Sequence, residues 1–390
     1  MLLFDATHTS HTHAQTGIQR VSRSLFAELG KSQEVAGICY DPYQKVWRKL
    51  VAKEENQLKP ASPMAGNSRG ALWSMRQRYT GRIRRWLKIQ SRLPAATGLI
   101  CPEFFSTKVG ANLPAIFSQV TGPRVALFYD AIPLQFPELT PPGTVARFPA
   151  YLRELVQFDG IAAISETSAT VLRDYWQWLG VLNPPPVVAI PLAIDARLPT
   201  PAGIPLRTPP RLLCGCTIEG RKNHLALLEA CEDLWKQGLE FELQLMGLAR
   251  NDTAAPALGK IAALQHAGRP LLYEGVATNE EIEFAYCQCS FTIYPSLVEG
   301  FGLPVLESLG FGKPCICSAK GALGESAQGG GCVALDSVGR ESLATAIKDL
   351  LTNREFLASL SRAARARRFN TWADYARDLV HWAQSLKRRD

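Results

Sequence analysis

Along this chain, short apolar runs alternate with stretches in which apolar side chains recur at helical spacing. Runs of three to six mainly apolar and β-branched residues read as strands covered on both faces. They fall at residues 124–129, 161–164 and 187–190 in the first half, and at 211–216, 241–246, 271–273, 290–294 and 314–317 in the second. Between them, Leu225, Leu228, Cys231 and Trp235 line one face of a helix, and Ile18, Val21, Leu25 and Leu29 line another. Trp372, Tyr375, Leu379 and Trp382 predict a closing helix over residues 372–387. Strand and helix in regular alternation imply an α/β fold built on parallel sheets.

Two proline-rich stretches interrupt the pattern, at 183–186 and 199–210. The second separates a first domain, residues 1–198, from a second, residues 211–368. A chain of 390 residues is long enough for two cores. There is no internal repeat and no low-complexity segment.

Composition narrows the class. The hydrophobic fraction of 46% is that of a globular protein, and no run of eighteen apolar residues offers a membrane span. The opening MLLFDATHTS lacks the basic and apolar regions of a signal peptide. Six of the ten cysteines form Cys-x-Cys pairs, Cys214/Cys216, Cys287/Cys289 and Cys315/Cys317. In a strand this spacing places both thiols on one face. They read as reduced core residues in a cytoplasmic protein, rather than as zinc ligands at the usual Cys-x-x-Cys spacing. The net charge of +8 suits nucleic acid, anionic lipid or phosphorylated ligands alike. No helix-turn-helix, zinc-finger, RRM or KH signature accompanies it.

The densest chemistry lies at residues 295–307, PSLVEGFGLPVLE. A strand ends before it, and Pro304 suits the first turn of the helix that follows. The loop thus presents a helix N-terminus, which favours an anion, at the carboxyl edge of a parallel sheet. Gly300 and Gly302 let the backbone approach a bulky ligand. Glu299 and Glu307, with seven residues between them, bracket the loop, and a carboxylate can accept two hydroxyl hydrogen bonds from a ribose or sugar diol. Alternatively Glu307 only complements the helix dipole and Glu299 is solvated. A second stretch, CGCTIEGRKNH at 214–224, sets Arg221 and Lys222 just before a helix, where the dipole disfavours cations. An anion between them and the helix would reconcile the two.

The E-x7-E pattern around GFGLPV resembles the retaining GT-B glycosyltransferases of family 4. The resemblance spans most of the chain and is specific in its second half. It implies two Rossmann-like domains with parallel sheets facing across a cleft: an acceptor-binding first domain, onto which the 372–387 helix crosses back, and a donor-binding second domain. It further implies that Glu307 holds the donor ribose, and that Glu299 with Phe301, Gly302 and Leu303 meets the transferred sugar. Residues 217–224 resemble the family's TIEPRKNH variant, which gives Arg221 and Lys222 the donor diphosphate; many relatives carry Arg where Thr217 stands. By the same resemblance, Gly17 and Arg20 on the first glycine-containing loop lie beside the donor phosphates. Asp130, in a YDAIP version of the family's H-D-x-x-P segment, meets acceptor or donor sugar; it could also simply start a turn. Thr16 and Gln19 have capping-box spacing, and Ser165 of ISETS reads as a helix N-cap.

The implied reaction moves a hexose, mannose or similar, from a nucleoside diphosphate to a saccharide or lipid-linked saccharide, in bacterial surface polysaccharide such as lipopolysaccharide. A GDP-sugar is favoured over a UDP-sugar, with no cofactor and no metal. Residues 73–92 carry Met75, Tyr79, Ile83, Trp86 and Leu87 on one helical face, with arginines mostly away from it. Such a helix lies on an anionic membrane or turns its apolar face to the core. His8, His11 and His13 cluster without spacing that suggests a metal; His11 or His13 could lie near the acceptor. The competing readings are a basic nucleic-acid-binding protein and a non-catalytic GT-B scaffold.

Overall fold

The computed structural model describes residues 1–14, 17–59, 70–89, 91–194, 208–250 and 253–389. The chain divides into two compact units. The first comprises Met1–Gln135, Pro142–Ala193 and Asn370–Asp390, and the second comprises Phe136–Pro141 and Ile194–Phe369.

Unit one is built on seven strands: β1 (Leu2–Asp5), β2 (Val35–Asp41), β3 (Val46–Lys49), β4 (Gly98–Cys101), β5 (Arg124–Phe128), β6 (Gly160–Ala163) and β7 (Val187–Ala189), in the order β3-β2-β1-β4-β5-β6-β7. Its sheet is not wholly parallel, as the pattern predicts, because β2 and β3 pair antiparallel, Ile38 opposite Lys49 and Asp41 opposite Val46. A connection as short as 42–45 can only fold a chain back on itself, whereas a parallel pair needs a crossover. Every residue of the inner strands β4, β5 and β6 is buried, and all are apolar except Arg124 at the start of β5.

Helix Trp372–Ser385 belongs to unit one. It buries Tyr375, Ala376 and Leu379 and packs on helix Gly17–Ser32. The residues after it run over the start of β6. A side-chain carbon on Gly160 would fall 2.6 Å from Leu386 Cδ1 and 2.8 Å from Trp382 Cη2. Beyond them, the Arg389 amide donates to Asp159 at 2.6 Å, and the Arg124 guanidinium grips the same carboxylate through Nε at 2.7 Å and Nη2 at 2.6 Å.

Unit two holds six strands: β8 (Arg211–Gly215), β9 (Glu242–Met246), β10 (Leu271–Glu274), β11 (Phe291–Tyr294), β12 (Cys315–Ser318) and β13 (Cys332–Leu335). All pairings are parallel, in the order β10-β9-β8-β11-β12-β13. Cys315 and Cys317 share β12, and Cys214 lies in β8 with Cys216 just past its end. Cys287, in contrast, sits in helix Asn279–Gln288, so the 287/289 pair is not a strand pair. All ten cysteines are free thiols.

Candidate functional site

Strand order decides where this sheet can hold a ligand. From β8 the chain moves outward to β9 and β10, then returns to β11 on the other side and continues to β12 and β13. The loops leaving β8 and β11 therefore run in opposite directions and open a crevice at the carboxyl edge. The loop after β8 carries a 3-10 turn, Gly220–Lys222, and Asn223 in the left-handed conformation, and enters helix His224–Lys236. The loop after β11 enters helix Leu303–Gly310 through Gly302.

Backbone contacts stitch the two loops together. The Leu297 amide donates to the Arg221 carbonyl at 2.8 Å, and Ser296 Oγ donates to the same carbonyl at 3.1 Å. Arg221 Nη1 returns a bond to the Val298 carbonyl at 3.2 Å. At the centre lies Glu299. Its carboxylate accepts from Arg221 Nη1 at 2.6 Å, from Lys222 Nζ, from Tyr294 Oη at 2.9 Å and from Ser296 Oγ at 2.5 Å. Arg221 also pairs with Glu219 at 2.8 Å, and Arg250, from the loop after β9, faces Glu219 at 3.6 Å. The counter-anion that the sequence requires beside Arg221 and Lys222 is, within the chain itself, Glu299.

Burial would push the Glu299 carboxyl up, but Lys222 and Arg221, helped by the Ser296 hydroxyl, outweigh it and hold the group near about 2. Burial lowers Arg221, yet Glu299 and Glu219 prevail and raise it, so it stays charged. Burial and then the Glu299 charge push the Tyr294 phenol well up, keeping it neutral. The cluster sets three cations, Arg221, Lys222 and Arg250, against two carboxylates, Glu219 and Glu299. It can therefore take up an added anion, which the positive end of the helix Leu303–Gly310 dipole also favours.

Gly302 is required on two counts. Its φ of +110° is one that L side chains avoid, and a side-chain carbon would lie 3.0 Å from Ser326 Oγ and 3.1 Å from Leu323 Cδ2. Ser326 Oγ holds the loop by donating to the Phe301 carbonyl at 2.6 Å. Phe301 is buried, while Leu303 and Glu307 are half-buried. Glu307 accepts from Tyr286 Oη at 3.4 Å. The two bracketing glutamates thus face different neighbours, Glu299 the cations and Glu307 the 279–288 helix.

The other expected residues lie in unit one. Gly17 opens helix Gly17–Ser32 and is exposed; a side-chain carbon there would meet nothing within 4 Å. Arg20 is half-buried on the next turn. Thr16, half of the expected capping box, lies outside the described residues, and Gln19 bonds His8 Nδ1 at 3.2 Å. Asp130 follows β5 and accepts the Ile132 amide at 3.0 Å, so it does start a turn. Ser165 caps helix Glu166–Trp178 by accepting the Ser168 amide. The His8 and His11 rings take different partners: His8 bonds Gln19, while His11 stacks on Trp73 and bonds Glu54 at 3.0 Å.

Sequence reasoning missed an acidic pair at the equivalent crossover of unit one. Asp5 ends β1, and Glu103 follows β4, the strand beside it. Glu103 accepts the His8 and Thr9 amides, each at 2.7 Å. Burial, then the Glu103 charge, pushes Asp5 up to about 7. The available signal was an acid directly after an apolar run, the same signal that marks Asp130.

Residues 206–367 match the model of the family described as glycosyl transferases group 1. The chain carries a glycosyl transferases group 1 domain. Arg221, Lys222, Glu299, Phe301, Gly302, Leu303 and Glu307 fall inside this domain, and Gly17, Arg20 and Asp130 precede it. The serotype-specific mannosyltransferase WbdA of Escherichia coli is 25% identical over 344 residues, 79% of this chain and 37% of WbdA. The chain thus spans little more than a third of that relative's length. The O-antigen chain mannosyltransferase B of Escherichia coli is 31% identical over 119 residues, 30% of this chain and 31% of that protein. Among solved structures, Anabaena HepE in complex with UDP-glucose superposes with a TM-score of 0.69 over 99% of both chains at 14% identity. Sucrose-phosphate synthase from Thermosynechococcus elongatus does so at 0.68, over 98% of this chain and 97% of its own, also at 14% identity. The fold of the group 1 domain and its partner unit is GT-B.

Proposed function

We propose that this chain is a retaining hexosyltransferase that moves mannose or a similar sugar from a nucleoside-diphosphate sugar to a saccharide or lipid-linked saccharide in the synthesis of a bacterial surface polysaccharide. The observation that carries the reading is the convergence of Arg221 and Lys222 with Glu299 at the β8/β11 crossover, inside the group 1 domain. Fixed cations there meet the negative charge that develops on a departing diphosphate, without cofactor or metal in the chemistry. The diphosphate takes over part of the cationic pairing that Glu299 holds in the free chain, which turns the Glu299 carboxylate toward the sugar. Glu307 accepts the ribose hydroxyls, Phe301, Gly302 and Leu303 shape the sugar end, and Gly17 and Arg20 serve the phosphates. Asp130 orients a sugar hydroxyl. The resemblance of residues 217–224 to TIEPRKNH favours a GDP-sugar; HepE was solved with UDP-glucose, which makes UDP the competing base. The group 1 domain counts against the nucleic-acid reading.

The deciding experiment measures thermal stability of the wild type and of Glu307→Ala against GDP, UDP, ADP and dTDP, followed by a transfer assay with the sugar nucleotides of the responding base. A ligand that binds the native state raises the melting point. A rise with GDP that Glu307→Ala abolishes supports the reading. No rise with any nucleotide, together with no transfer, refutes it.

The same reading places the chain in the cytoplasm, peripheral on the inner face of the membrane. Helix Met75–Trp86 supports this. Its one buried residue is Gly81, which lies against Tyr43, where a side-chain carbon would sit 2.9 Å from Tyr43 Cβ. Arg78 and Arg82 lie over the Tyr43 ring. The apolar face is therefore turned outward, with Met75 78% and Trp86 82% exposed and Tyr79, Ile83 and Leu87 exposed beside them. Among the described residues, no helix is long and apolar enough to cross a membrane.

A further inference from the structure

Two thiols and an imidazole meet where strand β8 gives way to the loop carrying Arg221 and Lys222. Cys214 is the fourth residue of β8, and Cys216 follows at the spacing that returns a side chain to the same face. His224, the first residue of helix His224–Lys236, closes the group from the far end of the loop. The Sγ atoms of Cys214 and Cys216 are 3.9 Å apart, and His224 Nε2 lies 3.7 Å from the first and 3.6 Å from the second. A tetrahedral zinc ion, with Zn–S near 2.3 Å and Zn–N near 2.0–2.1 Å, sets two sulfurs about 3.8 Å apart and each about 3.5–3.6 Å from the nitrogen. The three donors already stand on one face of that tetrahedron.

The His224 ring is 1% exposed, and its Nδ1 has no hydrogen-bond partner. Its polar contacts are thus the two sulfurs, which are weak partners for a buried imidazole. A metal–nitrogen bond at Nε2 would replace these weak contacts with a strong one, while Nδ1, on the other side of the ring, takes no part in the site. Two thiolates would also cancel the charge of a divalent ion, so that no net charge is buried. The other candidate cluster, His11, Cys39 and Glu54, is different. There Arg48 already fills the place of a cation, donating to both Glu54 oxygens at 2.7 Å. The thiols of Cys315, Cys317 and Cys332 have no histidine among them.

We infer that Cys214, Cys216 and His224 form a site for a thiophilic divalent metal, zinc above all. Among the described residues no fourth His, Cys, Asp or Glu joins them, so the fourth position falls to water or an exogenous ligand. The ion fastens the end of β8 to the start of the 224–236 helix. It thereby closes the loop of residues 217–223 at its base, a positioning role that is separate from the chemistry of transfer.

The test is metal content of the purified full-length chain, loaded with zinc under reducing conditions and passed through gel filtration. Elemental analysis should find about one zinc per chain. Cobalt(II) in its place should give thiolate-to-metal absorption in the near ultraviolet and the visible bands of a tetrahedral ion. Cys216→Ser, at a half-buried position, and His224→Asn should each lower retained zinc roughly tenfold or more, while Cys317→Ser retains it. Circular dichroism of each variant separates loss of metal from loss of fold, and Cys216→Ser carries the test if the buried variant does not fold. The inference is overturned by a wild type that retains no zinc, by equal zinc in Cys216→Ser, or by a zinc-free chain with a Cys214–Cys216 disulfide.

Discussion

The Arg221 guanidinium donates to the Glu299 carboxylate at 2.6 Å across 78 positions of sequence, joining the loops that leave β8 and β11. Lys222 binds the second oxygen of the same carboxylate. One glutamate thus holds both cations of the loop after β8, and the consequences can be measured.

Glu299→Ala would leave the buried Lys222 without its carboxylate and Arg221 with Glu219 alone. Removing one partner of such a pair costs about 3–5 kcal/mol. Glu299→Gln keeps the shape and the Ser296 bond and should fold. We expect it to bind nucleoside diphosphate at least as well as wild type, because the cations are released, yet to transfer sugar roughly a hundredfold more slowly. Calorimetric titration and a turnover assay on the same preparation check both halves.

Lys222→Ala should weaken diphosphate binding about tenfold or more, equivalent to about 1.4 kcal/mol, with a smaller effect on the bare nucleoside. Comparing GDP with guanosine in competition binding isolates the phosphate contribution. Equal loss for both ligands would place Lys222 elsewhere.

Gly302→Ala forces a side chain into a φ of +110° and against Ser326 and Leu323. Strain of this kind costs about 1–3 kcal/mol. The variant should melt earlier, and its sugar-nucleotide affinity should fall more than its stability, since the shift occurs at the mouth of helix Leu303–Gly310. Ser326→Ala, which removes only the bond to the Phe301 carbonyl, should show a milder form of the same change.

Two of the perturbed acids, Glu299 and Asp5, give opposite pH dependences. Glu299, held near about 2 against an ordinary 4.5, stabilises the fold above pH 4.5 and loses that contribution as pH falls toward 2. Asp5, at about 7 against an ordinary 3.8, keeps in the folded chain a proton that the unfolded chain has released, so stability falls as pH rises through that interval. Melting temperature should therefore decline between about pH 5 and pH 7 and level off above. Asp5→Asn should flatten the decline, and a slope unchanged in that variant would assign it to other groups.

Leu379 is fully buried where helix Trp372–Ser385 packs on helix Gly17–Ser32. Leu379→Ala should cost about 2–5 kcal/mol, localised to unit one. Hydrogen exchange should show the loss in residues 17–32 and leave β8–β13 protected.

Sequence by itself determined the α/β class, the eight strands read from apolar runs, the helix over residues 372–387 and the segments that carry Arg221, Lys222, Glu299 and Glu307. These are local properties: a strand buried on both faces must be apolar along its length, and a glycine-bearing loop before a prolyl helix start is written in adjacent residues. Tertiary structure decided what meets what. Whether Glu299 faces cations or solvent depends on β11 lying beside β8, a matter of strand order. The Asp5–Glu103 pair and the Cys214–Cys216–His224 group likewise join separate segments. Periodicity correctly drew one apolar face on the 75–86 helix, but not its direction. That was set by Gly81, the one point on the helix thin enough to rest against Tyr43, which left Met75 and Trp86 turned outward.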